Sequence, residues 1–474
     1  VGGAPKDTVK VDQLQILGVP ACAFPQAFAV VRALAENGKD RAAMRETISQ
    51  VVADPEGHRD DPLLGALAAA LLAYPKPFEP RPAPAPWAQW GEGLEAGSLQ
   101  QMAAAAELPV AVRGALMPDA HQGYGLPIGG VLATENAVIP YAVGVDIACR
   151  MRLSVFEVKE VEKAFTGRVR ERLRSALEAE TRFGVGARFE GKARRDHPVL
   201  DEDWNVTATT ARFKDTAWSQ LGTSGSGNHF VEFGLLTLKA PALGLAPGHY
   251  LSLLSHSGSR GTGANVAGHY SDLARRLNPS LPSHLKNLAW LSLDTGEGQE
   301  YWAAMSLMGE YAAANHERIH HHVARTLGFD VLAVVENHHN FAWKEEHDGR
   351  ELIVHRKGAT PAGAGVLGIV PGTMADPAFL VQGRGEERSL RSASHGAGRR
   401  MSRTEARRSF TWKNARPLLA ERGVELISGD IDEVPMAYKD IHSVMAAQSD
   451  LVEVLGSFQP RLVKMAPAGE KPED

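Results

Sequence analysis

A carboxylate and a thiol lie close together in a segment that could bind a metal ion. Asp146 and Cys149 are three residues apart at the end of a strand-like run, residues 143–149, so both side chains can reach one side of a turn. A carboxylate with a thiolate suits a borderline divalent ion such as zinc, manganese or iron. Because an isolated cysteine is more often a small buried hydrophobic residue, the metal hypothesis depends on further ligands.

Histidines beside three strand-like runs could supply those ligands. His229 lies in the glycine-rich loop GTSGSGNHF, His256 follows the apolar run LSLLS, and His339 follows the run VLAVVEN. A single histidine at a strand end is more often a structural hydrogen-bonding residue than a ligand. Three of them, each beside glycine or asparagine, favour a shared site. Their spacing in the sequence leaves open whether they converge.

A histidine among small residues could act as a nucleophile. His395 lies in the segment SASHGAGR, and Arg400 and Arg403 follow it. Small residues let a phosphate approach the backbone, and arginine donates paired hydrogen bonds to it, so His395 could accept a phosphoryl or nucleotidyl group. The alternative, a solvated basic loop with an incidental histidine, is the commoner case. A second glycine-rich stretch, residues 358–372, could cradle a nucleotide, but such a loop is weak support.

The pattern HExxH raises a competing hypothesis. His316 and His320 form this zinc-peptidase signature on a predicted helix, where residues four apart share one face. However, Val323 replaces the glycine that metzincins have, and a third ligand would have to come from a distant residue such as Glu336 or Glu345. The peptidase hypothesis is therefore the weakest of those considered.

The composition is that of a globular protein in a reducing compartment. The chain has 474 residues, 44% apolar and 23% charged, which excludes a disordered, collagenous or coiled-coil protein. Two cysteines cannot form a disulfide framework, and no apolar stretch is long enough to span a bilayer, so we expect a cytoplasmic protein without a membrane partner. The net charge of −5 argues against a general nucleic-acid coat, but eight arginines between Arg384 and Arg408 form a local basic patch.

Three regions are predicted along the chain. Residues 1–75 read as a small helical extension, and the proline-rich segment at residues 76–86 as an extended linker. In residues 87–474, short apolar runs alternate with glycine-rich loops, which is typical of an α+β or mixed α/β enzyme. Helical periodicity predicts longer helices at residues 40–53, 62–72, 161–181 and 299–327.

Ten ordered motifs occur between Trp87 and Met465: MPDAHQGYGLPIGG, PYAVGVDIACRM, LGTSGSGNHFVEF, HSGSRG, HHNFAWKE, HRKGAT, PGTM, SHGAGRRMSR, AYKD and LVKM. Together they resemble the RtcB family of GTP- and manganese-dependent RNA ligases. The resemblance implies an α+β catalytic domain over residues 87–474, built on a large mixed β-sheet core with flanking helices. The helical extension before it is longer than the family needs.

The resemblance also implies site residues. A bridging Cys149 would hold two Mn²⁺ ions together with Asp146, His229, His256 and His339. The guanylated histidine falls on His395, and phosphates of the RNA ends are expected at Arg260 and Arg399. The implied contacts to the GTP cofactor are Asn228, His229, Phe230, Val231, Glu232, His339, Asn340, Pro371, Gly372, Thr373, Met374, Ala378, His395, Gly396, Ala397, Gly398, Tyr438 and Lys464.

The implied reaction joins RNA ends in RNA repair or tRNA splicing. A 3′-phosphate or 2′,3′-cyclic phosphate end would be joined to a 5′-hydroxyl end through a GMP-histidine intermediate and an activated RNA 3′ end. Two alternatives remain: an enzyme that caps the 3′-phosphate with GMP without sealing, and a non-catalytic RNA-end-binding subunit. The sequence does not identify an activating protein partner.

Several positions depart from the family pattern. Ala148 and Arg150 stand where the family has glycine in DIGCGM, Thr373 where serine is usual, and Ala378 where a second serine contacts the nucleotide. We expect Arg150, beside the ligands, to add phosphate affinity or to crowd the substrate. At Ala378 we expect one nucleotide hydrogen bond to be lost.

Overall fold

The computed structural model describes residues 9–72 and 78–471, and the chain divides into two compact units, Val1–Phe78 and Glu79–Asp474. Residues 1–8 and 73–75 of the predicted helical extension, and residues 76 and 77 of the predicted linker, lie outside the described residues. The described part of the first unit contains the helices α1 (Val11–Ile16), α2 (Phe24–Glu36), α3 (Arg41–Ala53) and α4 (Gly65–Leu72). The predicted helices at 40–53 and 62–72 are confirmed as α3 and α4, with the second starting three residues later.

The helices of the first unit enclose a small apolar core. Leu14, Val30, Ile48 and Leu67, one from each helix, are buried together. Asp40 caps α3, because its carboxylate accepts a hydrogen bond from the backbone N–H of Ala43 at 2.8 Å. Each helix thus contributes buried apolar residues to this core.

The proline-rich segment is attached to the second unit in its described part. The backbone N–H of Arg81 donates to the carbonyl of Glu107 at 3.0 Å, and that of Ala85 donates to the carbonyl of Ala106 at 2.8 Å. Ala85 is buried. These bonds hold residues 81–85 along the end of a helix rather than as a free spacer.

The second unit has the predicted α+β fold, with two larger sheets. The five-stranded sheet has the order β1-β2-β3-β11-β10. Its strands are β1 (Trp87–Gln89), β2 (Ala111–His121), β3 (Ile128–Thr134), β10 (Asn340–His347) and β11 (Arg350–Lys357). Only the pair β1–β2 is parallel among these strands.

The eight-stranded sheet has the order β13-β14-β17-β6-β7-β5-β9, with β16 added parallel to β17. Its strands are β5 (Arg150–Phe156), β6 (Phe230–Leu238), β7 (Gly248–Ser257), β9 (Val331–His338), β13 (Leu367–Val370), β14 (Ala378–Gly383), β16 (Glu425–Ser428) and β17 (Val452–Met465). Asn337 in β9 exchanges hydrogen bonds of 2.8 and 3.3 Å with the backbone of Ile369 in β13. The side chain thus joins the two edges of the sheet, which is nearly closed.

Two short pairs and nine helices complete the described second unit. The pairs are β4 (Ala137–Val138) with β8 (Leu291–Ser292), and β12 (Ala359–Pro361) with β15 (Ser392–Ser394). The helices are α5 (Ala96–Ala106), α6 (Pro140–Val143), α7 (Gly167–Glu180), α8 (Ala208–Gln220), α9 (Arg260–Leu277), α10 (Gly296–Leu327), α11 (Arg403–Ser409), α12 (Trp412–Glu421) and α13 (Ile441–Ala447). The predicted helices at 161–181 and 299–327 are confirmed as α7 and α10. None of the helices within residues 9–72 and 78–471 combines the length and apolar character that crossing a bilayer requires.

The long helix α10 packs its HExxH segment against the eight-stranded sheet. Ser255 in β7 contacts His316 Nδ1 at 2.7 Å and His320 Nε2 at 2.8 Å, while Ser154 in β5 contacts His320 Nδ1 at 2.7 Å. Glu317 lies on another face, paired with Arg318. The two histidines therefore join helix and sheet through serine hydroxyls, which disfavours the peptidase hypothesis.

Candidate active site

The antiparallel strand order brings the predicted metal ligands to one end of the eight-stranded sheet. Cys149 and His229 immediately precede β5 and β6, His256 is the penultimate residue of β7, and His339 immediately follows β9. In an antiparallel pair the start of one strand lies beside the end of its neighbour. Four side chains that are far apart in the sequence therefore lie at the same end of the sheet.

The ligand atoms lie close together. Cys149 Sγ is 3.4 Å from His229 Nε2 and 3.1 Å from His256 Nε2, and His256 Nε2 is 3.2 Å from His339 Nε2. Asp146 Oδ2 lies 3.2 Å from His229 Nε2. The ligand atoms of Cys149, His229 and His256 all lie within 4.8 Å of one another. The five side chains that the family resemblance implies as metal ligands therefore lie together in the structure.

Backbone carbonyls determine which histidine nitrogens can bind a metal. A carbonyl can only accept, so the contacts of His229 Nδ1 with the Ser224 carbonyl (2.7 Å) and of His256 Nδ1 with the Asn228 carbonyl (3.1 Å) place a proton on each Nδ1. Burial lowers the pKa of His256 to about 3 and that of His339 well below its usual value. Neutral rings with Nε2 lone pairs facing a thiol are the donor set that a borderline divalent ion prefers.

The turn before β5 is shaped around the Asp146 carboxylate. Ser259 donates its backbone N–H to Asp146 Oδ1 at 3.0 Å, and a Cβ added to Gly258 would lie 2.1 Å from Asp146 Oδ2. Gly258 is therefore required by close approach. Ala148, two residues after Asp146, has a φ of 57°, a left-handed conformation that an L side chain disfavours.

His395 is oriented by a buried aspartate that the sequence reasoning did not single out. His395 Nδ1 lies 2.7 Å from Asp119 Oδ2, and Asp119 in β2 is fully buried. Burial alone would raise the pKa of Asp119, but the hydrogen bond and charge of His395, with the charge of Lys439, lower it below its usual value. A charged Asp119 accepts a hydrogen bond from the Nδ1–H of His395, a tautomer that has its lone pair on Nε2. The MPDAHQ motif contains Asp119, but nothing in its spacing indicates which histidine it contacts.

The segments that carry Asp119 and His395 are closely packed. Lys439 Nζ donates to the carbonyls of Pro118 (3.1 Å) and Ala120 (2.6 Å), on either side of Asp119, and its backbone N–H donates to the Gly398 carbonyl at 2.9 Å. A Cβ on Gly398, whose φ is 74°, would lie 2.1 Å from the Asp119 carbonyl oxygen. The small residues after His395 therefore allow two backbones to approach.

A cavity of about 880 Å³ connects these groups. It is lined by all five predicted metal ligands, by His395, and by Arg399. The predicted nucleotide contacts that line it are Asn228, His229, Phe230, Glu232, His339, Asn340, Pro371, Gly372, Thr373, Met374, Ala378, His395, Gly396, Ala397, Gly398 and Tyr438. Glu232 is buried on this wall, and burial raises its pKa well above the usual value.

Three predicted site residues do not line the cavity. Val231 lies in the apolar core, and Lys464 Nζ donates to the carbonyls of Leu177 and Thr181 at 3.1 and 3.3 Å. Arg260 is buried, with Nε donating to Thr223 Oγ1 at 2.9 Å. In this structure Lys464 and Arg260 therefore bind protein groups rather than facing the cavity.

Two arginines near the site differ in position: Arg150 lies away from the cavity and Arg399 lines it. Arg150 is buried away from the cavity, paired with Glu336 and donating to the Gly309 carbonyl at 3.2 Å. The expectation that Arg150 meets the substrate is therefore not met, because its side chain binds Glu336 and the Gly309 carbonyl. Arg399 does line the cavity, where its guanidinium lies over the Tyr438 ring at 5.0 Å from the centroid.

The chain is similar to proteins of one family over most of its length. A family model described as "tRNA-splicing ligase RtcB" matches residues 101–207 and 202–465. The "RNA-splicing ligase RtcB" of Escherichia coli K12 is 36% identical over 407 residues, covering 78% of this chain and 95% of that protein. The "tRNA-splicing ligase RtcB" of Methanococcus maripaludis is 30% identical, covering 80% and 92%. The "RNA-splicing ligase RtcB" of Mycobacterium tuberculosis H37Rv is also 30% identical, covering 76% and 98%.

Replacing Ala148 by glycine should stabilise the protein. The left-handed conformation costs an alanine about 1–2 kcal/mol, and glycine loses about 0.4–1 kcal/mol through the greater entropy of its unfolded state. We expect Ala148→Gly to raise the free energy of unfolding in urea by roughly 0.5–1 kcal/mol. Ala420→Gly, at an exposed position of α12, is the control and should lower it by about 1 kcal/mol. A loss of stability in Ala148→Gly would contradict the strain at this turn.

Replacing Cys149 by alanine should abolish divalent-metal binding. Sγ contacts two of the histidine nitrogens, so its loss removes the central donor of the cluster. Bound metal would be measured by elemental analysis after dialysis against manganese or zinc. Cys22→Ala, which removes an exposed cysteine from the first unit, should bind metal like the unmodified chain. Equal metal content in Cys149→Ala and Cys22→Ala would rule out the thiol as a ligand.

Proposed function

The chain belongs to the RtcB family, and from that premise we propose that it is an RNA ligase that joins 3′-phosphate or 2′,3′-cyclic phosphate ends to 5′-hydroxyl ends, using GTP and Mn²⁺. The observation that carries the proposal is the His395–Asp119 pair, placed in one cavity with the Cys149–histidine cluster. A nucleophilic nitrogen beside a metal cluster is the arrangement that nucleotidyl transfer needs. The chain's role would be RNA repair or tRNA splicing.

His395 would act as the nucleophile. Its Nε2 lone pair attacks the α-phosphorus of GTP, an N–P bond forms, and the bond to the bridging oxygen breaks as pyrophosphate leaves. Asp119 Oδ2, 2.7 Å from Nδ1, would accept the hydrogen bond of Nδ1–H and stabilise the positive charge that develops on the ring. Because this hydrogen bond already orients the ring, the attack costs less orientational entropy.

In the two steps that involve RNA, GMP is first transferred from His395 to the RNA 3′ end, and the strands are then joined. An oxygen of the RNA 3′-phosphate attacks the phosphorus of the GMP-histidine, so the N–P bond breaks and His395 regains its lone pair. The 5′-hydroxyl then attacks the RNA phosphorus, forms the new phosphodiester and releases GMP. A 2′,3′-cyclic end would first be opened by water. Arg399, on the cavity wall, would bind an RNA phosphate in exchange for its present partners, which include the Asp432 carbonyl and Glu433.

Asp146, Cys149, His229, His256 and His339 would hold Mn²⁺. Neighbouring donor atoms of this set lie 3.1 to 3.4 Å apart, and a thiol, a carboxylate and neutral imidazoles are groups that a divalent cation can bind together. The bound ions would neutralise phosphate charge as it develops in each transfer. A thiolate and imidazoles select a softer ion than magnesium.

Glu232 is suited to recognise guanine. It is a buried carboxylate on the cavity wall, in β6 beside the ligand His229. Guanine presents N1–H and the 2-amino group as adjacent donors, and a carboxylate can accept both. Since burial raises the pKa of Glu232, two donors from the base would favour the charged form and offset the cost of burying it.

His395 should carry the label after incubation with manganese and GTP labelled at the α-phosphate. We expect covalent label on the denatured wild type and none on His395→Ala. Asp119→Asn should be labelled about 100-fold more slowly, because the amide cannot fix the same ring tautomer. His249→Ala, an exposed histidine outside the cavity, is the control and should be labelled like the wild type.

The same assay separates the alternatives. Label with subsequent joining of 3′-phosphate and 5′-hydroxyl RNA supports the ligase. Label that passes to RNA 3′ ends without joining would replace the ligase with a capping enzyme. No label in metal-loaded wild type would contradict nucleotidyl transfer and leave an RNA-end-binding protein.

Glu232→Gln should reduce the preference for GTP over ITP, which lacks the 2-amino group. A hydrogen bond to a charged carboxylate contributes about 1.5–3 kcal/mol, so wild type should use GTP roughly 10- to 100-fold better in kcat/KM for histidine labelling. In Glu232→Gln the ratio should fall toward one. An unchanged ratio would assign the base to another part of the cavity.

A further inference from the structure

One wall of the cavity carries aromatic side chains that the proposed chemistry does not use. Tyr124 and Tyr141 line the cavity together with Ile128 and Lys357, next to the five-stranded sheet. Tyr124 is 70% exposed, the second most exposed of the large apolar and aromatic side chains described. Such exposure of a tyrosine at the mouth of a site favours contact with a ligand.

The loop that bears Tyr124 is fixed by side chains. Gln101 accepts from the backbone N–H of Gly123 at 3.0 Å and donates to its carbonyl at 2.5 Å, and Glu95 accepts from the N–H of Gln122 at 2.8 Å. Lys357 Nζ donates to the Tyr124 carbonyl at 2.6 Å. The tyrosine ring therefore projects from a rigid backbone, and a ligand that stacks on it pays little ordering entropy.

Two basic side chains lie beside the second ring, and burial lowers the pKa of one of them, Lys357, to about 7. Lys357 Nζ is 4.8 Å and Arg275 Cζ is 5.6 Å from the centroid of the Tyr141 ring. Aromatic rings interleaved with cationic side chains are the features by which proteins bind single-stranded nucleic acid, through base stacking and phosphate attraction. The wall thus matches the chemistry of a nucleotide strand better than that of a small anion.

The geometry of phosphoryl transfer indicates which strand occupies this wall. In the proposed sealing step the 5′-hydroxyl attacks opposite to the leaving GMP, because attacking and leaving oxygens lie in line. The proposed guanine wall, with Glu232 and Phe230, belongs to the eight-stranded sheet, whereas the tyrosine wall borders the five-stranded sheet. His339 lies at the junction, between β9 of one sheet and β10 of the other.

We propose that Tyr124, backed by Tyr141 and Lys357, is a stacking platform for the first nucleobase of the 5′-hydroxyl RNA strand. The strand assignment rests on the proposed ligase function. The platform would hold the 5′-hydroxyl on the far side of the phosphorus from GMP. It recognises a base by its ring face, so it accepts any of the four bases.

Binding of a 5′-hydroxyl oligoribonucleotide with a 3′ fluorophore tests the platform without requiring catalysis. Fluorescence anisotropy would be measured with the full chain and manganese. We expect Tyr124→Ala to raise the Kd about 10-fold, and Tyr124→Trp to bind at least as tightly as wild type, because the indole restores stacking. Tyr250→Ala, which removes a tyrosine outside the cavity, should leave the Kd unchanged.

An oligonucleotide whose first nucleoside is abasic identifies the contact. It should bind wild type as weakly as the intact strand binds Tyr124→Ala, and Tyr124→Ala should lose nothing further with it. An unchanged Kd in Tyr124→Ala, or an equal loss on intact and abasic strands, would overturn the proposal. A loss seen only with an oligonucleotide that has a 3′-phosphate and a blocked 5′ end would assign the platform to the other strand. Tyr124-dependent binding in a chain that takes no label from GTP would leave the subsite standing while the ligase function fails.

Discussion

The convergence of lone pairs at one end of the eight-stranded sheet is the constraint on which the site depends. Backbone register alone brings the starts of β5 and β6 beside the ends of β7 and β9. The thiol and three imidazoles that meet there lie within about 3 Å of their neighbours. Protonation of the His256 and His339 rings is disfavoured, because burial lowers the pKa values of both. The cluster therefore allows a metal site at this end of the sheet.

The position of His395, the proposed nucleophile, depends on a different part of the fold. His395 follows β15, while Asp119 lies in β2 of the five-stranded sheet, so the hydrogen bond between them fixes the His395 loop to that sheet. His339 joins the sheets, since it lies between β9 and β10, and its ring centroid is 5.0 Å from that of His395. The histidine cluster and His395 lie close together because a single residue, His339, connects β9 of one sheet to β10 of the other.

Motif residues were predictable from the sequence, but several of their contacts were not. The order of strands and glycine-rich loops indicates the α+β class, and residue types with their positions beside apolar runs select Asp146, Cys149 and the histidines. Register is not encoded in any short motif, so the pairing of Asp119 with His395 could not be predicted. The directions of the Arg150 and Lys464 side chains could not be predicted either. Strand residues alternate between the two faces of a sheet, and both of these side chains contact other parts of the protein. Arg260 has a positive φ of 58° at the start of α9. No neighbouring residue in the sequence predicts this backbone conformation.

The basic patch of the sequence is largely neutralised in the folded chain. Arg384, Arg388 and Arg391 pair with Glu453, Glu386 and Glu387. Arg399 and Arg403 share Glu433, and Arg407 pairs with Asp430. Paired arginines contribute little to the long-range attraction of a polyanion, and affinity that rests on few phosphate contacts depends weakly on salt. A net charge of −5 fits the same conclusion. Selection of RNA by this chain would therefore rest on shape and stacking within the cavity, which the proposed guanine wall and the tyrosine wall both line.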